Sequence, residues 1–258
     1  RKYQNTVSEK LAQQVLHALY ELVRGLHTAN VQSGNELLKD VLAKNPDAIY
    51  QGLVTVILRM VFVLYAEERN LLPTDEAFVN HYSIGGLYDR LREDAAQYPD
   101  TMDHRYGAWP QLLVLFRMIH DGAQCQSLDL PARQGHLFDP DRYPFLEGRT
   151  KDRIADERLT FPLIPDGHLH RALEKLLILE GERISYRALD VEQIGSVYEA
   201  IMGFEVEVST GRSIAIKPVK KHGAPATINL EELLEQKATD RAKWLKERTD
   251  QDFTGRAL

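Results

Sequence analysis

Apolar residues recur three and four positions apart along most of the chain. Leu11, Val15, Leu16, Leu19, Leu22 and Val23 fall on one stripe, which predicts an amphipathic helix over residues 7–25. Ser8 can cap its start, and Gly25 stands where a helix often stops. Residues 35–43 predict a shorter helix, ended near Asn45-Pro46. Residues 47–69 predict a longer one, with Tyr50, Leu53, Val54, Ile57, Leu58, Val61, Phe62, Leu64 and Tyr65 apolar. So broad an apolar surface belongs at the centre of a bundle. Further helices are predicted over 84–97, 109–120, 166–179 and 190–202. Pro110 fits a first turn, and Gly122 follows as a stop. In the last helix Asp190 and Gln193 have capping-box spacing, and Ile194, Val197, Tyr198 and Ile201 share a face.

Residues 124–165 are rich in Pro, Gly and Asp and predict an irregular excursion around the bundle. The pattern changes again after residue 203. Phe204-Glu205-Val206-Glu207-Val208 alternates apolar and charged residues, and Ser213-Ile214-Ala215-Ile216-Lys217 is a second β-prone run. With Ser209-Thr210-Gly211-Arg212 between them, they predict a hairpin. A basic loop follows over 218–225. A polar helix is predicted over 229–248, capped by Asn229 with Glu232 three residues on. The expected fold is mainly α: a multi-helix bundle with an irregular excursion and a small β-hairpin near the C-terminus. The expected division is a helical domain, 1–203, and a segment, 204–258, of hairpin, loop and polar helix.

The net charge of −6 argues against a surface built throughout for nucleic acid but permits a local basic face. Arg212, Lys217, Lys220, Lys221 and His222 concentrate positive charge; they are either the candidate DNA-binding residues or part of a solvated flexible linker. Lys237, Arg241, Lys243, Lys246 and Arg248 add to it, while Glu231, Glu232, Glu235 and Glu247 dilute it. The single cysteine, Cys125, permits no intrachain disulfide and fits a reducing cytoplasm. The longest apolar stretch, 53–66, is interrupted by Thr55 and Arg59 and is too short to cross a bilayer, so no membrane partner is expected. The chain opens on Arg1, and further residues are expected beyond both ends.

Catalytic and metal signatures do not emerge. His168 and His170 would lie about 200° apart on a helix, too far to share a zinc ion. Glu235-Gln236-Lys237 spells a nuclease-like Glu-x-Lys, but in a helical context. There is no phosphate-binding Gly-x-x-x-x-Gly-Lys-Ser/Thr loop and no Gly-x-Ser-x-Gly elbow.

Three blocks carry a different signal: Leu64-Tyr65-Ala66-Glu67-Glu68-Arg69-Asn70-Leu71-Leu72-Pro73, then Leu137-Phe138-Asp139-Pro140-Asp141-Arg142-Tyr143-Pro144-Phe145-Leu146, then Leu189-Asp190-Val191-Glu192-Gln193-Ile194-Gly195-Ser196-Val197-Tyr198-Glu199-Ala200-Ile201. In this order they resemble the helical segment ahead of the catalytic domain in large adenine-specific DNA methyltransferases. Such enzymes serve single-chain restriction-modification and DISARM- or BREX-type phage defence. The block residues Tyr65, Glu67, Arg69, Asp139, Asp141, Arg142, Gly195, Tyr198 and Glu199 read as structural. Glu67 and Glu68 are either part of a working surface or solvated at a helix end, where Arg69 complements the helix dipole. Asp139 and Asp141 either bind a cation or make turns and ion pairs, while the aromatic residues around them dock into a groove.

The resemblance implies a parent enzyme that moves a methyl group from S-adenosylmethionine to adenine in DNA. This chain has neither the glycine-rich cofactor loop nor the Asn/Asp-Pro-Pro-Tyr/Phe motif that holds a flipped adenine, so no catalytic residue is carried over. No cofactor is therefore expected in the chain itself. The implied partners are DNA, the methyltransferase domain of the same chain and defence-system proteins, in a bacterial cytoplasm. The competing expectation is a non-enzymatic protein-interaction module of a defence system.

Overall fold

The computed structural model describes residues 2–125, 128–149, 160–188, 195, 211–216 and 226–253. The chain divides into two compact units, Arg1–Gly203 and Phe204–Leu258. The architecture is mainly helical.

Seven helices are described in the first unit: α1 (Lys2–Gln32), α2 (Lys39–Lys44), α3 (Asp47–Glu68), α4 (Glu76–His81), α5 (Ile84–Gln97), α6 (Ala108–Asp121) and α7 (Asp166–Leu177). Their apolar faces merge into one core. Leu19, Leu22 and Leu26 come from α1, Leu53, Ile57 and Met60 from α3, Trp109, Leu112 and Phe116 from α6, and Leu169, Leu173 and Leu176 from α7. Helix α3 is buried almost all round, as its broad apolar surface predicts, and contacts α1, α2 and α5. By length and composition alone α3 could cross a membrane, but two-thirds of its apolar window is buried inside the protein. The 53–66 stretch is part of this longer helix, whose burial identifies a core helix.

Several boundaries differ from the pattern. Helix α1 does not stop at Gly25. A Cβ there would lie 2.8 Å from Ile164 Cγ2 and 3.1 Å from His168 Cβ, so this glycine lets α7 approach closely. The helix stops instead at Gly34 and Asn35, both with positive φ, where Asn35 N–H donates to Asn30 O at 2.8 Å. Helix α2 then starts four residues later than predicted. Asn30 Oδ1 accepts from Leu38 N–H at 2.9 Å, which ties the intervening turn to α1. Helix α4 has no counterpart in the sequence reading, although Asp75 caps it by accepting from Phe78 N–H. Helix α5 has the predicted limits, with Ser83 as its cap.

The excursion contains a short antiparallel pair, β1 (Ala123–Cys125) and β2 (Leu128–Leu130), and a 3₁₀ turn over Pro144–Glu147. Helix α7 ends two residues early. Ile178–Leu179 becomes β3 and pairs with β4 (Glu182–Arg183) around Glu180 and Gly181, both left-handed. A 3₁₀ turn, Tyr186–Ala188, follows. The helix predicted over 190–202 lies outside the described residues except for Gly195, which is helical and exposed.

In the second unit β5 (Ser213–Ile216) pairs antiparallel with β6 (Ala226–Asn229), with Ile214 opposite Ile228. This corrects the pattern, which gave 226–228 no strand. The predicted partner run, 204–208, lies outside the described residues. The single polar helix is also corrected: it is two, α8 (Leu230–Glu235) and α9 (Arg241–Thr249). A straight 20-residue helix would be about 30 Å long, too long for both of its ends to cover one short hairpin. The break lets Leu233 and Leu245 pack together on Ile228. Asn229 caps α8 as expected, accepting from Glu231 and Glu232 N–H.

Candidate functional site

The first block occupies the last turn of α3, and its charged residues reach in two directions. Glu67 accepts hydrogen bonds from Ile84 N–H at 2.7 Å and Gly85 N–H at 3.2 Å. It therefore supplies two acceptor oxygens to the open N–H groups at the start of α5. Burial outweighs those two bonds and pushes the Glu67 carboxyl up to about 7. Glu68 turns the other way and accepts from Arg187 N–H at 2.8 Å and Ser185 Oγ at 3.2 Å. Arg69 donates to Arg187 O at 3.2 Å and lies over the Tyr65 ring at 4.4 Å. Three consecutive residues thus fasten α5 and the 186–188 turn to α3. The expectation that both glutamates are simply solvated is corrected. Beside them lies an open cleft of about 680 Å³, lined by Glu67, Glu68, Phe78, Asp89, Arg90 and Arg183 among others.

The second block docks against α3 and α6. Arg59, 4% exposed, donates from Nε to Leu137 O at 2.6 Å and from Nη2 to Asp139 O at 2.9 Å. Its guanidinium also lies 5.3 Å from the Phe116 ring centre and 5.9 Å from that of Phe138. Burial lowers its pKa to about 10, which leaves it charged at neutral pH. Phe138, Tyr143 and Phe145 are buried as expected. Gly52 makes room for the last of these, since a Cβ there would lie 2.7 Å from Phe145 Cζ.

The two block aspartates make local bonds. Asp139 Oδ1 accepts from Asp141 N–H at 2.9 Å, and Asp141 Oδ1 accepts from Arg149 at 2.8 Å. Arg142 is exposed and lies over Tyr143. Behind them the buried Glu147 carboxylate is shared by Arg117, through two bonds of 2.7 and 2.8 Å, and by Arg149 at 2.8 Å. These groups face a second cleft of about 390 Å³ with Leu113, Val114 and Met118 on its wall.

Of the third block, Gly195 is exposed on a helix, and Tyr198 and Glu199 lie outside the described residues. Of the basic candidates, Lys217, Lys220, Lys221 and His222 also lie outside them. Arg212 is exposed and paired with Glu231: Nε to Oε1 is 3.2 Å, and its own N–H donates to Oε2 at 3.0 Å. Pairs this exposed contribute about 0–1 kcal/mol, so Glu231 is a weak competitor for a phosphate.

His168 and His170 point apart, as their spacing requires. His168 Nδ1 lies 3.0 Å from Glu21 Oε2 on α1, and His170 stacks on Tyr88 of α5 at 5.8 Å. Among the described residues no three His, Cys, Asp or Glu side chains gather as a metal site. Sequence reasoning missed Arg59, Arg117, Glu147 and Arg149. A lone arginine inside the apolar 53–66 run was the visible signal for the first, since a buried cation requires partners. The others sit in irregular chain with no period to mark them.

The chain matches no protein-family model, no curated protein and no solved structure.

Proposed function

We propose that this chain is the helical scaffold segment of an adenine-specific DNA methyltransferase of bacterial restriction-modification or phage defence. Methyl transfer from S-adenosylmethionine belongs to the catalytic domain of the parent enzyme, in the bacterial cytoplasm. The role of this segment is to hold that domain in place and to contact the DNA backbone through Arg212, Lys217, Lys220, Lys221 and His222.

One observation supports the scaffold role above the rest. The first block, the second block and the turn leading into the third are all fastened to α3. Glu67, Glu68 and Arg69 act at its end, and Arg59 acts at its middle. Charged residues used this way fix the path of the chain rather than perform chemistry. The order of the three blocks supports the family.

Anisotropy of a labelled duplex, titrated with the chain from about 50 to about 200 mM salt, tests the DNA contact. Each phosphate contact adds about 0.9 to the slope of log K against log salt. A steep, linear fall is the expected result. Absent or salt-independent binding contradicts the role and favours a protein-interaction module.

A further inference from the structure

Among the described residues of the second unit, some cations are engaged and others, Lys237, Lys243 and Arg248, make no ion pair. Arg212 is held by Glu231 at 3.2 Å and Lys246 by Asp252 at 2.6 Å. Arg241 donates to the carbonyls of Leu234 at 3.1 Å and Gln236 at 3.2 Å, closing the end of α8. Lys243 and Arg248 on α9 are both exposed. Neither has a carboxylate at ion-pair distance among the described residues.

Arg248 is also ordered in advance. Its guanidinium carbon lies 3.7 Å from the centre of the Trp244 ring. Trp244 is itself half-buried against the small core of Ile228, Leu233 and Leu245. Stacking uses the face of the guanidinium and leaves its N–H edge free, a planar fork that matches phosphate oxygens. The packed indole limits the motion of the arginine, so less side-chain entropy is lost on binding. At 100° per residue, Lys243, Trp244 and Arg248 fall within about 140° of helix surface. Glu247 falls in the same arc and weakens the local potential.

We infer that α9 holds a phosphodiester of DNA between Lys243 and Arg248, with Trp244 as the platform that orients the arginine. This rests on the DNA-contact reading above and adds to it an anchor separate from the 212–222 segment.

The indole provides a direct readout. The other tryptophan, Trp109, is fully buried, so quenching on addition of an oligonucleotide reports Trp244. The full chain is titrated with single-stranded and duplex oligonucleotides at low salt. Saturable quenching is expected. The double variant Lys243→Ala/Arg248→Ala should lose about tenfold in affinity and, on duplex, about 0.9 in salt slope, the share of one phosphate, and Glu247→Gln should bind more tightly than wild type. Lys39→Ala, in the first unit, should match wild type. Circular dichroism checks that each variant is folded. DNA binding without quenching, unaffected by the double variant, overturns the α9 site and leaves the DNA-contact reading standing. No binding at all overturns both.

Discussion

Arg59 places a permanent charge inside the most apolar helix of the chain, and two backbone carbonyls of the excursion neutralise the cost. The predicted consequence is severe. Arg59→Ala leaves the carbonyls of Leu137 and Asp139 without the donors they have in the native fold and removes the guanidinium that lies over Phe116. It should lower unfolding free energy by about 3 kcal/mol, the range for breaking buried charged hydrogen bonds. Urea denaturation measures this directly, and a loss under about 1 kcal/mol would mean the excursion is held mainly by its aromatic residues.

Glu67 gives a pH prediction. Its folded pKa, about 7, is raised above its unfolded value, so the fold prefers the protonated carboxyl. Stability from this group is full below the unfolded pKa and is lost as pH rises from about 4.5 through about 7, by up to about 3 kcal/mol. Glu67→Gln keeps an oxygen for Ile84 N–H and removes the titration. The gap in urea midpoint between pH 5 and pH 8 should narrow in this variant; an unchanged gap would assign the pH dependence to other groups, Asp166 among them.

At the scale of elements, the sequence marked which segments are helical far better than where they end. Periodicity reports a buried face, and α1, α3, α5, α6 and α7 all have one. Ends depend on contacts with distant residues. Gly25 reads as a stop by composition, yet it sits mid-helix because Ile164 and His168 leave no room for a side chain. Gly25→Ala therefore tests packing against propensity. Propensity alone favours alanine by about 1 kcal/mol. Overpacking α1 against α7 should reverse the sign, for a net loss of about 1–2 kcal/mol in thermal or urea unfolding. Net stabilisation would show that the two helices can part without cost. The 229–248 helix failed for a related reason: its apolar stripe was real, but two short helices cover one hairpin where one long helix cannot.

The Glu68 clamp also belongs to this scale. Glu68→Ala removes the acceptor for Arg187 N–H and Ser185 Oγ. Amide hydrogen exchange around 185–187 should speed up while that of α3 stays slow. Equal protection in both proteins would show that Glu68 does not clamp the 185–187 turn.

At the scale of the whole molecule, the legible part was the fold class: a mainly helical chain with a small β element near its C-terminus. The candidate site was legible only as sequence blocks. Their side-chain partners, such as Glu67 with Ile84 or Arg59 with Leu137, are brought together by tertiary packing that no local pattern encodes. The scaffold reading requires that these blocks serve a catalytic domain carried by the same protein. The most direct measurement is the coding sequence that continues past the codon for Leu258. The expected result is an open frame containing a glycine-rich S-adenosylmethionine loop followed by an Asn-Pro-Pro-Tyr type motif. A stop codon at that point, or a continuation with neither motif, would contradict it.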